Sequence, residues 1–282
     1  MKRIAMISEH ASPLAALGGA DSGGQNVYVA HLAKELARLG YCVDVFTRRD
    51  DATLPKVVTW RQGVRVVHVR AGPAEPIPKE ELLPHMTEFT DRILAFMGRQ
   101  AHGYDLAHAN FFMSGLVAAD LKVLLGLPFV VTFHALGRIR RHFQGAADHF
   151  PDVRFAIEER VSFEADRVIA ECPQDEDDLV CLYGADRHKI VTIPCGFDPT
   201  ELWPHDRSEA RAELNLPVEE PVVLQLGRMV PRKGVDNVIR GLARLERDHG
   251  LKATLLVVGG DSEVPDPTIT PEIGRLQQVA AE

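Results

Sequence analysis

Three stretches of the chain gather residue types that can do chemistry. The first is Leu226-Gly227-Arg228-Met229-Val230-Pro231-Arg232-Lys233-Gly234, with three cations inside six positions. Two guanidinium groups and an ammonium at one turn make an anion clamp, and a diphosphate is the natural ligand. The plain alternative is a solvated basic turn. The second is the glycine-rich run Gly18-Gly19-Ala20-Asp21-Ser22-Gly23-Gly24, followed by Gln25 and Asn26. Glycines let backbone N–H groups approach a phosphate with no Cβ in the way. A following helix N-terminus adds free donors and partial positive charge. Here the plain alternative is a loop whose Asp21 or Ser22 caps a helix. The run matches neither G-x-G-x-x-G nor G-x-x-x-x-G-K-[ST], so neither a dinucleotide fingerprint nor a P-loop is supported.

The third stretch is Thr132-Phe133-His134-Ala135-Leu136-Gly137-Arg138. A histidine there can donate to a sugar hydroxyl or a phosphate, although a lone histidine is more often a satisfied structural residue. Arg138, Arg140, Arg141 and His142 read equally as a solvated helix face and as a site for an anionic acceptor. Asp175-Glu176-Asp177-Asp178 contains a D-x-D pattern, but it follows Pro173 and opens a helix. Carboxylates in a first turn offset the helix dipole, so no metal is expected from them.

The elements that must position these stretches follow a βαβ grammar. Ile4–Ser8 reads as a buried strand. Val29, Leu32, Ala33 and Leu36 then recur at helical spacing, Gly40 sits at the helix end, and Val43–Thr47 is the next strand. Further strands are expected over Val57–Trp60, Val64–Val69, Leu106–Ala109, Phe129–Phe133, Val168–Ala170 and Ile190–Ile193. Helices are expected near Gly115–Leu125, Arg154–Glu164 and Glu176–Tyr183, and a long one from Lys79 to Gln100, interrupted near Pro84. Residues 194–221 are rich in proline, with a short charged helix near Ser208–Leu214. The grammar then restarts with strand Val222–Leu226, a helix lined by Val235, Val238, Ile239, Leu242 and Leu245, and strand Ala253–Val258. A last helix begins near Pro271.

This predicts an α/β chain with parallel sheets. Residues 1–195 form a first Rossmann-like domain, 196–220 a linker, and 221–282 a partial second one. In each domain the candidate phosphate-seeking loop follows the first strand, where open α/β sheets bind ligands. The second domain offers about two strands against roughly six in a complete half. Its apolar strand edge would invite association, as in a homodimer, and the chain as it stands is expected to lack activity.

Composition sets outer bounds. Hydrophobic residues make up 45% and charged ones 26%, which is ordinary for a globular chain. A net charge of −8 speaks against nucleic acid as a partner. The four cysteines have no C-x-x-C spacing, so zinc and redox pairs are not expected, and a cytoplasmic location with reduced thiols is. No apolar run reaches the ~20 residues of a membrane span, and the start is too short for a signal peptide.

The glycine loop, the Thr-Phe-His-Ala-Leu-Gly-Arg segment and Gly-Arg-Met-Val-Pro-Arg-Lys-Gly, in this order, resemble family 4 of the retaining glycosyltransferases. Within it they are similar to the branch holding sucrose-phosphate synthases and D-inositol-3-phosphate glycosyltransferases. The resemblance spans the chain and implies the GT-B fold, two facing Rossmann-like domains. It also implies transfer of a sugar from a nucleotide-sugar donor to a small sugar or cyclitol phosphate acceptor, with retention and with no metal or other cofactor. It carries roles onto named residues. Gly23 and Gly24 would lie against the donor diphosphate, which Arg228 and Lys233 would clamp and stabilise as it leaves. His134 would face the donor sugar. Asn26, Lys79 and Arg154, with Arg138 nearby, would serve the acceptor. Two departures follow. The tyrosine and threonine that contact phosphate in the inositol-phosphate enzymes fall on Phe111 and Ala135, which puts inositol phosphate in doubt. The family's two late glutamates, one of which holds the donor ribose, lie beyond Glu282. A nucleotide-binding fragment without activity and a sugar-nucleotide epimerase on the same fold are the alternatives. The epimerase would need paired carboxylates in the cleft, and no such pair is evident.

Overall fold

The computed structural model describes residues 2–15, 23–260, 262 and 264–282, without the side chain of Arg232. The part of the glycine-rich loop before Gly23, with Asp21 and Ser22, lies outside the described residues. The chain divides into two compact units, the first closing at Gly196 and the second running over Phe197–Glu282. Among the described residues no helix is long and apolar enough to cross a membrane.

The first unit is built on eight strands: β1 (Arg3–Ile7), β2 (Cys42–Arg48), β3 (Val57–Arg61), β4 (Val64–Val69), β5 (Leu106–Asn110), β6 (Phe129–Thr132), β7 (Arg167–Ala170) and β8 (Ile190–Thr192). They lie in the order β3-β4-β2-β1-β5-β6-β7-β8. Every pairing is parallel except β3 with β4, a hairpin at the sheet edge turned at Gly63. The helices are α1 (Gly24–Arg38), α2 (Met86–Met97), α3 (Phe112–Leu125), α4 (Gly137–Gln144), α5 (Val153–Glu164) and α6 (Pro173–Tyr183).

Side-chain alternation along the strands decides which helix covers which face. Met6, Val43, Val45, Val64 and Val66 pack against Val29 and Ala33 of α1. Ala5, Ile7, Val67, Ala107, Ala109 and Val131 point the other way, into a larger core closed by α2, α3, α5 and α6. Both faces are covered, which accounts for the near-continuous apolar runs of the central strands. The strand order reverses between β1 and β5. Outside the carboxyl ends of those two strands lies the topological switch point, where a ligand crevice is expected.

The long helix expected over Lys79–Gln100, interrupted near Pro84, is broken there, and its regular part ends at Met97. Lys79–Glu81 and Leu83–His85 form two 3-10 turns, and α2 starts only at Met86. Pro84 lacks the N–H that a continuous helix would need. Lys79 therefore sits on a tight turn.

The second unit contains α7 (Arg207–Glu213), β9 (Val222–Leu226), α8 (Val235–His249), β10 (Thr254–Val258) and α9 (Pro271–Ala281). β9 and β10 pair in parallel, Thr254 against Val222 through Val258 against Leu226. Asp206 caps α7 by accepting from the N–H groups of Ser208 and Glu209. The residue after each strand is a glycine with positive φ, Gly227 and Gly259, both at 151°. The two backbones come so close that a Cβ on Gly259 would stand 1.9 Å from the Gly227 carbonyl oxygen. Only glycine fits there.

Candidate active site

At the switch point the ends of β1, β5, β6 and β7 bring polar residues together. Asn110 closes β5 and is fully buried. Its Nδ2 donates to the carbonyls of Ile7 and His108, at 3.3 and 3.4 Å. That fixes the amide, so Oδ1 faces His134 Nε2 at 3.1 Å, and Nε2 must carry a hydrogen. His134 follows β6 and has φ +59°, a left-handed conformation rare outside glycine. Its Nδ1 faces Glu171 Oε1 at 3.1 Å, and Tyr28 of α1 packs edge-on against the ring at 4.7 Å. Phe111, directly after Asn110, also has positive φ, at +88°. Strained backbone at two adjacent strand ends is a mark of a functional site.

Glu171, the first residue after β7, also accepts from Cys195 Sγ at 3.2 Å. Burial pushes its carboxyl up, but the hydrogen bond and charge of His134 and the bond from Cys195 outweigh that. The carboxyl lies below its usual range and stays ionised. Burial pushes the Cys195 thiol up to about 11, with Glu171 adding to the effect. Beneath this layer His108 is wholly buried, with Nε2 2.9 Å from Thr132 Oγ1. Burial first, and the charge of His134 second, pull its pKa down to about 3, so it is a neutral imidazole.

The β1 end adds a buried carboxylate. Glu9 is fully buried, accepts from Ser114 Oγ and stands 2.7 Å from His10 Nδ1. The N-terminus of α1 lies alongside: Gln25 Nε2 donates to Ser8 Oγ at 3.4 Å and to the Asn110 carbonyl at 3.2 Å. Asn26 is buried, and its Nδ2 donates to the Ser12 carbonyl at 2.9 Å. Its amide holds the loop after β1.

The cations read as acceptor ligands each have protein partners. Lys79 Nζ is 3.7 Å from Glu80 Oε1, which Arg140 Nη2 also approaches at 3.4 Å. Arg140 lies over the Phe150 ring, and Arg154 lies over the other rings of the same cluster, Phe111 and Phe112, as well as Phe150, at 4.5 to 4.9 Å. A chain of contacts thus joins Lys79 to Arg154 and reaches Phe111 at the crevice. Arg154 itself is fully buried, donating from Nε to Glu158 at 2.7 Å and from Nη2 to the Ala135 carbonyl at 2.6 Å. Its Nη1 has no hydrogen-bond partner among the described residues. Phe111 and Ala135 are both in contact with it. Arg138 pairs with Glu159 and lies over Phe155 and Tyr183, and the Tyr183 hydroxyl donates to the Glu158 that holds Arg154.

In the second unit the loop from Gly227 carries Arg228, turns through Pro231–Lys233 and enters α8 at Gly234, whose φ is +64°. Lys233 is exposed and Arg228 half-buried. Gly23 falls with this unit, and a Cβ there would stand 3.7 Å from Arg228 Nε. Gly24 opens α1 with no atom within 4 Å of where its Cβ would be. The glycine wall of Gly227 and Gly259 and the two cations give an anion room to lie against backbone and charge.

Reading along the chain singled out His134 but missed Glu171 and Asn110, which brace it. They lie 37 and 24 residues away in sequence and share no local motif with it. Their one signal is position, since each stands at the carboxyl end of a strand.

Comparison with known proteins places these features. The Glycosyltransferase Family 4 profile matches residues 22–201, and that of Glycosyl transferases group 1 matches residues 206–268. A D-inositol 3-phosphate glycosyltransferase of Actinosynnema mirum is 40% identical over 267 residues, covering 93% of this chain and 64% of the relative. One from Nocardia farcinica is also 40% identical, covering 98% of this chain and 63% of its own length. The chain thus spans slightly less than two thirds of these relatives. The solved structure of a sucrose-phosphate synthase from Thermosynechococcus elongatus superposes with a TM-score of 0.86 at 32% identity, over 99% of this chain and 68% of that one. The α/β GT-B class expected from the motifs is the fold of this chain.

Proposed function

The chain belongs to Glycosyltransferase Family 4, and on that premise we propose that it moves a sugar from a nucleotide-sugar donor to an anionic, phosphorylated acceptor with retention of configuration. The first unit serves the acceptor and the second the donor. The observation that carries this reading is the loop of the second unit. Gly227, whose carbonyl lies against Gly259, is followed by Arg228 and, five residues on, Lys233. A diphosphate held there meets backbone and positive charge together. As the bond from the sugar carbon to the diphosphate oxygen breaks, charge develops on that oxygen, and Arg228 and Lys233 stabilise it. The acceptor hydroxyl attacks the same carbon from the leaving-group side, and its proton passes to the departing diphosphate. His134, held by Glu171 and Asn110, faces the donor sugar. Gly23 and Gly24 bring backbone to the diphosphate. On the acceptor side Lys79 supplies charge at the surface and Arg154 from beneath Phe150. The relatives named for inositol 3-phosphate favour a phosphorylated acceptor, while Phe111 and Ala135 favour one other than theirs.

The test uses the whole protein with UDP-glucose, UDP-N-acetylglucosamine, GDP-mannose and ADP-glucose, each offered with phosphorylated and neutral sugars and cyclitols. Released nucleoside diphosphate and a glycosylated product with the donor's anomeric configuration are expected, with phosphorylated acceptors preferred. Lys233→Ala should lower turnover by about two orders of magnitude. Near-normal turnover in that variant would remove Lys233 from the reading.

A further inference from the structure

The edge of the first unit holds a second concentration of positive charge, two strands away from the switch point. A cavity of about 220 Å³ lies between the ends of β2 and β4 and the outer face of α2. Its floor is apolar: Val67, Val69 and Phe96, all buried. Its rim carries Arg49, Lys56, Arg70, Arg92 and Arg99. Topology gathers them from four places. Arg49 and Arg70 leave the carboxyl ends of two neighbouring strands, and Lys56 precedes the edge strand β3. Arg92 lies on α2, and Arg99 stands in the turn just past its end at Met97. Ala95 lies between them and leaves the cavity open on that side.

Two carboxylates act on this rim of five cations, Glu88 on Arg92 and Arg70, and Asp51 on Arg49, which leaves it positive. Arg92 pairs with Glu88 at 3.4 Å, and Glu88 also accepts from the Gly72 N–H. Arg49 Nη2 donates to the Ala52 carbonyl, but its buried Nε has no partner among the described residues. Lys56, Arg70 and Arg99 form no salt bridge among the described residues. Nothing in the glycosyl transfer described above uses any of the five. In a chain with a net charge of −8, mutual repulsion around one small cavity favours binding an anion there.

We propose that this cavity is a binding site for a phosphate-bearing ligand, separate from the transfer site. Four of the five cations are arginines, whose planar donors match phosphate oxygens in pairs. A tetrahedral phosphate group presents acceptor oxygens in several directions and can engage several of these donors at once. The apolar floor accepts the organic body of the ligand. The same chemistry is presented by a free phosphorylated compound and by an anionic lipid headgroup.

The experiment uses the Lys79→Ala/Lys233→Ala protein, which weakens the anion contacts of the transfer site. Two probes are applied: inorganic pyrophosphate by titration calorimetry, and phosphatidylglycerol vesicles against phosphatidylcholine vesicles by co-sedimentation. Salt-sensitive binding of at least one anionic probe is expected. It should weaken at least tenfold in Arg70→Glu/Arg99→Glu, with an unchanged thermal unfolding curve. Pyrophosphate binding alone assigns the site to a free phosphorylated compound, and vesicle binding assigns it to a headgroup. Arg244→Glu/Arg247→Glu, the same charge change on α8, should leave binding intact. Absence of binding to both probes overturns the proposal. So does equal loss in the α8 variant, which would mark a general charge effect.

Discussion

His134 reaches its place at a cost in backbone conformation, since a side chain at φ +59° meets its own carbonyl neighbourhood. Surrounding contacts must over-determine it, and they do so from three elements. Asn110 dictates a hydrogen on Nε2, Glu171 faces Nδ1, and Tyr28 walls the ring. Of these, Glu171 is the one that carries charge, ionised across the neutral range. Glu171→Gln keeps the shape and removes the charge, and it places either an amide hydrogen or a neutral oxygen against Nδ1. We expect turnover to fall by about tenfold to a hundredfold, the usual effect of removing a partner that orients a working imidazole. KM for the donor should change less, and the pH profile of turnover should shift. An unshifted profile with unchanged turnover would mean that Glu171 only fills space.

At the scale of elements, the Arg154–Glu158 pair is a joint. Glu158 accepts from Arg154 Nε, from the Tyr183 hydroxyl of α6 and from the Gly137 N–H that opens α4. Burial lifts the Glu158 carboxyl above its ordinary range, against the opposing pull of Arg154. A Cβ on Gly137 would stand 2.8 Å from Arg154 Nε, so α4 begins at a glycine because nothing larger fits. Removing one partner of a buried pair leaves the other charge stranded. Arg154→Ala should therefore lower stability by roughly 3–5 kcal/mol in urea unfolding. If stability is kept while the KM for a phosphorylated acceptor rises, Arg154 is a ligand of the acceptor first and a joint second. Elements of this kind were readable from pattern alone. The strands and most helices of both units announce themselves through periodicity, because burial on one face or two leaves its mark on neighbouring residues, whereas α4 reads only as a charged run. Pro84 marks the break before α2, but not that the residues ahead of the helix form 3-10 turns, since one proline changes the hydrogen bonding without changing the apolar spacing. The aromatic bed under Arg154 does not announce itself either. Phe111, Phe112 and Phe150 meet only after three segments have folded, and a buried arginine reads in sequence like an exposed one.

The molecule as a whole should register His108 as a limit on its stability in acid. This residue lies in β5 at the centre of the large sheet, wholly buried, with a pKa near 3 in place of the ordinary 6.5. The sign follows from where the proton binds. Above about pH 6.5 the imidazole is neutral in both folded and unfolded chains, and it contributes no pH dependence. Between 6.5 and 3 the unfolded chain takes up a proton that the folded one refuses, so stability falls as pH falls. By pH 5 the loss is roughly 2 kcal/mol. Glu171, with its lowered carboxyl, adds a loss in the same direction, but only lower down, where carboxylates of the unfolded chain begin to protonate. Glu158, raised, works in the opposite sense. A comparison with His108→Asn separates these terms, because only the histidine contribution disappears. The two units need not unfold together, so the signal must come from the first alone. The chain has two tryptophans, Trp60 on β3 and Trp203 in the second unit. Trp203→Phe leaves Trp60 as a reporter of the large sheet. In that background the urea midpoint followed by Trp60 fluorescence should drop between pH 7 and pH 5, and His108→Asn should flatten the drop whatever its own starting stability. Equal slopes with and without His108 would show that the imidazole finds a proton in the folded sheet.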